Sequence, residues 1–287
     1  MGELCSLFGV SRSGYYRWIS TAQARTARES QDRADFEKIL EAYRFRGYKK
    51  GCRSICMRLK RMGVRMNHKK VTRLMRKYGL FCPIRKANPY RQMMKALKTS
   101  SIAPDLVKRQ FREHGARKVL LTDITYLRLN GGFVYLSVIK DPYTMQVLSY
   151  VLSDSLEVDF VLETVKKMLA EHACELDAEV LIHSDQGAHY TSVAFRELLE
   201  NSDIRQSMSR RGNCWDNAPQ ESFFGHMKDE LREYIPTWTC IEDVQARIDD
   251  WMDYYNNDRY QTALKGMSPN EYYHYLVTNE LPAALAD

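Results

Sequence analysis
No stretch of the 287-residue chain approaches the roughly 18 uninterrupted apolar residues that a membrane-spanning helix needs. Its first residues, MGELCSLFGVSR, lack the basic start, apolar stretch and small-residue cleavage site of an export signal. Membrane-spanning and secreted classes are therefore not expected. Cysteine is sparse and odd in number, seven, which points to reduced thiols in the cytoplasm and not to a disulfide framework. Neither a phosphate-loop nor a dinucleotide glycine pattern occurs, so ATP or NAD use is not expected. Internal repeats and low-complexity tracts are absent as well. What remains is globular: 44% hydrophobic and 28% charged residues, in a length that suggests about two domains.

One further absence is local. Residues 42–104 contain 19 Lys or Arg and not one carboxylate. Across residues 1–118 there are 30 basic and 8 acidic residues, a balance of +22; the remainder has 13 and 28, a balance of −15. A stretch so one-sided repels itself unless a polyanion lies against it, and nucleic acid is the commonest polyanion. Apolar residues at helical spacing run through it, which favours a folded DNA-binding module over a disordered arm. The expected location is cytoplasmic, at the nucleoid when bound to DNA.

Periodicity sets out the parts. Ser11 is placed to cap a short helix, and residues 26–43 read as one helix with Phe36, Ile39, Leu40 and Tyr43 on a face. Residues 47–80 read as helix, turn, helix. Asn67 is an N-cap and Gly79 the residue after the second helix, whose buried stripe is Val71, Leu74 and Met75. Lys69, Lys70, Arg73, Arg76 and Lys77 lie largely off that stripe; Lys69, Lys70, Arg73 and Lys77 are the expected DNA contacts. Cys52, Cys56, His68 and Cys82 fit no common zinc spacing, and the two i, i+4 cysteines read as small hydrophobes. Beyond a proline-flanked basic stretch the period becomes strand-like. Strands are expected over 119–129, 133–139 and 145–152, a helix over 156–172, a strand over 179–184 and a helix over 193–201. This is an α/β layer with a mixed sheet flanked by helices. Trp251, Tyr254 and Tyr255 read as core of a helical tail. The expected boundaries are 1–45 for an N-terminal helical segment, 46–82 for the helix-turn-helix, 83–115 for a basic linker, 116–235 for a catalytic core and 236–287 for the tail.

Three carboxylates stand where carboxylates are costly. Asp123 falls mid-strand between Leu121 and Ile124, so it needs hydrogen bonds, a partner or a metal. Asp185 ends the strand VLIHS, and ligands gather at the carboxyl ends of strands in open α/β sheets. Glu221 opens the helix ESFFGHMKDELREY, with Asp216 or Asn217 as the expected cap and Pro219 in the first turn. At about 100° per residue, Lys228 and Arg232 fall on the Glu221 side, while Phe223, Phe224, Met227 and Leu231 fall opposite. In-line displacement at a phosphodiester uses two divalent cations roughly 3.5–4 Å apart, and hard cations such as Mg²⁺ take oxygen ligands. Singly, each acid has a blander reading: a satisfied strand residue, a turn residue, a first-turn acid favoured by the helix dipole.

Their surroundings carry a resemblance. TDITY, HSDQGAHYTS and RRGNCWDNAPQESFFGHMKDE are similar to segments of the retroviral-integrase-like DDE transposases of bacterial insertion sequences, and specifically to OrfB of the insertion-sequence-three family. The 35 residues between Asp185 and Glu221 match the family's spacing, and Lys228 matches its basic residue two turns on. NHKKVTRLMRKYGL and DYYNNDRYQTALKGMSPNEYY resemble its helix-turn-helix and C-terminal blocks. Trp215 and Tyr260-Gln261 depart from the family's commoner Tyr and Pro-His, away from the acids. The resemblance implies a ribonuclease-H-like core in which Asp123, Asp185 and Glu221 are catalytic and bind two Mg²⁺ or Mn²⁺. Asp123 and Asp185 would serve both ions and Glu221 the second, with His183 and Asn217 orienting the ligands and Lys228 and Arg232 on DNA. It also implies cleavage of element ends by water, then joining by 3′-hydroxyl attack. The implied partners are terminal inverted repeats, target DNA, further copies of the chain, and an upstream-frame helix-turn-helix/leucine-zipper protein or fusion. A simple metal-dependent nuclease and an inactive DNA-binding regulator are the alternatives.

Overall fold
The computed structural model describes residues 5, 7, 9–82, 103–209 and 217–285. They divide into two compact units, 1–83 and 84–287, each considered by itself. Most of the basic linker expected over 83–115 lies outside the described residues, as does Asp216.

The N-terminal unit is all helical: α1 (Arg12–Ser20), α2 (Ala22–Arg44), α3 (Cys52–Arg61) and α4 (His68–Lys77). Ser11 caps α1, its hydroxyl accepting the Gly14 N–H at 3.0 Å. Asn67 caps α4, its side chain accepting the Lys69 N–H at 2.8 Å. Gly79 ends that helix at φ +69°, which brings the Leu80 N–H back to the Met75 carbonyl at 2.8 Å. Ile39, Ile55, Leu59, Val71 and Leu74 form the buried core, with Cys52 and Cys56 packed against it as hydrophobes.

The second unit is built on five strands: β1 (Val119–Leu129), β2 (Gly132–Lys140), β3 (Val147–Ser153), β4 (Leu181–Ser184) and β5 (Arg205–Met208). Between them come α5 (Asp159–His172), α6 (Ala188–Thr191) and α7 (Val193–Glu200). After them come α8 (Ala218–Leu231), α9 (Ile241–Asn257) and α10 (Pro269–Thr278), the helical C-terminal part. Asn130 and Gly131, both at positive φ, make the tight turn joining β1 to β2. The sheet order is β3-β2-β1-β4-β5, with β1–β3 antiparallel and β4 and β5 parallel to β1. That is the ribonuclease-H-like arrangement, and it makes β1 the central strand. The four-residue β5, Arg-Gln-Ser-Met, was not foreseen because it carries no apolar alternation; its parallel pairing with β4 holds it.

Leu120, Ile139, Phe160, Val165, Met168 and Phe195 join the sheet to its helices in one buried cluster. In the C-terminal part, Phe223 of α8 meets Trp251 and Tyr255 of α9 at ring distances of 5.5 and 4.9 Å. The buried Glu230 accepts the Trp251 indole N–H at 2.9 Å and an Arg259 N–H at 3.0 Å, so its charge is matched. Asn256 closes both backbone groups of Val147, at 3.0 and 2.8 Å, which blunts the start of edge strand β3. Among the described residues no helix is long and apolar enough to cross a membrane.

Candidate active site
Asp123 sits in the middle of central β1, directly opposite Val138 of β2. Its Oδ1 accepts the Ile124 N–H at 2.8 Å. Burial pushes its pKa up to about 7, and the charges of Asp185 and then Glu221 push the same way; Lys228 opposes them. β4 runs parallel to β1 with His183 beside Leu121. Asp185 follows one residue after β4 ends, and its charge acts at Asp123. Past the strand end, Asp185 turns the chain by accepting the Gly187 N–H at 2.8 Å on Oδ1. A Cβ on Gly187 would stand 2.9 Å from that same oxygen, so a larger residue there would push the carboxylate out of this position. The sequence signal was available, an Asp two residues before a Gly, but its meaning needed the turn.

Glu221 lies in the first turn of α8, and two side chains tie that turn to the sheet. The Lys140 ammonium, at the end of β2, donates to the Pro219 carbonyl at 3.2 Å and lies 4.8 Å from the Phe223 ring centre. The Gln220 amide reaches the carbonyl of Val138, the residue opposite Asp123, at 3.5 Å. Lys140 is fully buried, and burial lowers its pKa to about 7, the Arg259 charge adding to the effect. Sequence reasoning missed it, because a lysine at a strand end reads as a solvated cation.

The cap expected from Asn217 does not form. Asn217 occupies the N-cap position of α8, but its backbone (φ −128°, ψ 24°) turns the amide away from the first-turn N–H groups. Both amide atoms are buried and have no hydrogen-bond partner among the described residues. A buried orphan amide one helical turn before Glu221 is a group awaiting a ligand or its water. His183 is wholly buried on β4, with Nδ1 2.9 Å from the Ser207 hydroxyl and Phe111 edge-on at 6.4 Å, so it joins β4 to β5. Among the described residues no three His, Cys, Asp or Glu side chains are grouped closely enough to hold one ion between them. Mg²⁺ needs no such trio: it takes one or two carboxylates and fills its shell with water and substrate phosphate. The donors here are hard oxygens in surplus negative charge, which fits Mg²⁺ or Mn²⁺.

The expected DNA-contacting cations fall into two sets. On α4, Arg73 donates twice to Asp32 of α2 (2.8 and 2.7 Å), Lys77 bridges Asp32 and Glu29, and Lys70 pairs with Asp35. Lys69 and Arg76 are exposed and pair with no acid among the described residues. On α8, Lys228 lies over the Tyr126 ring with its ammonium 4.4 Å from the centre, and Arg232, just past the helix, pairs with Asp229 at 2.7 Å.

Comparison with known proteins matches the integrase core domain family at residues 113–214 and again at 202–269, and an HTH-like domain family at residues 30–88. A putative transposase, InsK, for insertion sequence element IS150 of Escherichia coli K12 is 32% identical over 95% of this chain and 93% of its own length. A transposase-like protein of Haemophilus influenzae is 34% identical over 73% of this chain and 94% of its own. Among solved structures, the HTLV-2 integrase catalytic core domain in complex with magnesium covers 55% of this chain and 97% of its own, at 17% identity and a TM-score of 0.42.

Proposed function
The chain belongs to the insertion-sequence transposases that carry an integrase core domain, and from this premise we propose that Asp123, Asp185 and Glu221 hold two divalent cations, Mg²⁺ or Mn²⁺, at the phosphodiester under attack. Bound there, such cations make an attacking oxygen nucleophilic and stabilise the leaving oxygen. Asp123, on which the charges of the other two acids act, would be a ligand shared by both ions. Asp185 would share them, and Glu221 would complete the second. Lys140 and Gln220 hold the Glu221 turn against the strand of Asp123. The orphan amide of Asn217 orients the ligands, and Lys228 holds DNA phosphate. The reaction cuts element ends with water and then joins a freed 3′-hydroxyl to target DNA, carried out by copies of the chain assembled on two ends.

One observation carries this reading: Asp123, buried in the central strand, lies where the charges of both Asp185 and Glu221 act on it, and Lys228 opposes them there. Left alone, that surplus would repel DNA. With cations it binds DNA.

The test is an assay with labelled DNA ends and Mg²⁺. The wild-type chain yields joined products, whereas Asp185→Asn yields none and still shifts DNA in a gel. Hydrolysed ends without joining would mean a simple nuclease, and activity surviving Asp185→Asn would reject the acid site.

A further inference from the structure
Beyond Asp123, β1 runs on toward its hairpin and leaves two aromatic rings in solvent. Tyr126 is 60% exposed and Phe133, on β2, is 44% exposed. Their ring centres are 5.3 Å apart at 84°, an edge-to-face pair on one side of the hairpin. Single exposed aromatics are ordinary on protein surfaces. This pair is framed by cations. Lys228 caps the Tyr126 ring, and the exposed Arg128 stands directly opposite Phe133 in the register. Lys228 links the two places, since its ammonium lies over the Tyr126 ring and its charge also acts at Asp123. Tyr126 is three residues along the strand from Asp123, about 10 Å at the rise of an extended chain. Its ring leaves the other face of β1, so a nucleic-acid strand reaching both must pass the edge of β1 beside Lys228.

Exposed π faces interleaved with Lys and Arg are what a single nucleic-acid strand is held by: rings stack on bases while cations follow the phosphates. A paired duplex hides its base faces and would leave these rings in water. The patch therefore suits a base that has left its partner, within a few nucleotides of the phosphodiester at the acids. We propose that Tyr126 and Phe133 are a stacking platform for an unpaired nucleobase next to the bond being cut, with Lys228 and Arg128 on the flanking phosphates. This rests on the reading of Asp123, Asp185 and Glu221 as the catalytic acids. Lys228 then has two positions, over the Tyr126 ring without DNA and on phosphate with it, and its departure opens the ring to the base.

The test uses the full chain and two probes: a duplex ending in a three-nucleotide 3′ tail with 2-aminopurine in the tail, and the same duplex fully paired. Binding of the tailed probe should quench the 2-aminopurine. Tyr126→Phe should keep the quenching. Tyr126→Leu, which keeps apolar bulk for folding but has no π face, should lose it and bind the tail about 5- to 150-fold more weakly. Both variants should bind the paired duplex as the wild type does. Undiminished quenching and affinity in Tyr126→Leu, or equal loss on both probes, would overturn the platform. The acid site fails on a separate result, cleavage surviving Asp185→Asn, so the two failures cannot be confused.

Discussion

The two units treat charge in opposite ways. In the N-terminal unit, three acids of α2 meet three cations of α4, and Arg73, followed by Lys77, holds the Asp32 carboxyl well below its ordinary range. In the second unit, Asp123 is pushed the other way by burial and by two neighbouring acids. The difference is not a general leniency toward unmatched charge, since Glu230 has Arg259 and Asp141 has Arg117 at 3.3 Å. At these sites the fold sets a cation beside each buried acid, whereas at Asp123 two further acids act on a buried carboxyl. Paired charge holds the fold together; a buried acid crowded by two others is where the cations proposed above would supply the opposite sign.

The largest expected effect sharpens that contrast at Lys140, the one buried cation whose work is to hold the Glu221 turn. Lys140→Met replaces a buried ammonium by an apolar chain of similar length, an exchange that tends to leave stability unchanged or raised. If the lysine serves only the fold, nothing else should change. Because it orients the turn bearing Glu221, Mn²⁺ affinity of the DNA-free protein, followed by calorimetry, should fall by about 10–100-fold, the usual cost of losing a group that orients a metal ligand. Unaltered Mn²⁺ affinity in a folded Lys140→Met protein would reduce the residue to packing.

A smaller effect should separate the units by pH. A carboxyl lowered by folding, such as Asp32, adds stability that is complete above its ordinary value near 3.9 and is lost as pH falls below it. Asp123 has the reverse sign. Between about pH 4 and its folded value of about 7, the folded chain keeps a proton that the unfolded chain has released, so stability falls as pH rises through that window. Amide exchange followed residue by residue should show β1 loosening from pH 4.5 to 7.5 without metal while α4 stays level, and α4 loosening only below about pH 4. Saturating Mg²⁺, which binds the ionised acids, should flatten the β1 trend. Parallel responses in the two units would break the comparison.

Much of this was legible in the residues, and the exceptions share a cause. Caps, turns and the long strands announced themselves through local chemistry: Ser11, Asn67, Gly79 and Asn130-Gly131 act within a few residues of where they stand. The three acids stood out as candidates because a carboxylate amid Leu and Ile has few explanations, and 35-residue spacing narrows them further. What stayed hidden depended on partners distant in sequence. Nothing near Lys140 reveals that Pro219 will lie over it, and nothing near Arg73 reveals Asp32, 41 residues earlier. β5 escaped notice for the same reason, since a polar tetrapeptide becomes a strand only when β4 lies beside it.

That last kind of error bears on DNA binding, where the smallest effect is expected. Helical angle alone made one cationic face of α4, whereas the ion pairs divide it. Lys70, Arg73 and Lys77 point toward α2, and a cation engaged with an acid gives up a contact when it turns to phosphate. Lys69 and Arg76 lie about 20° apart on the helix and have no such contact to give up. They should therefore be the phosphate contacts of this helix. Replacing either by Ala should lower the slope of log affinity against log salt by about 0.9, close to a threefold change in affinity between 50 and 200 mM salt. Replacing Lys70 or Lys77 should leave that slope as it was and instead speed amide exchange in α2. If the slope drops equally for all four, the acids of α2 are yielding their partners to DNA, and charge in the N-terminal unit is on loan to the ligand in the way proposed for Asp123.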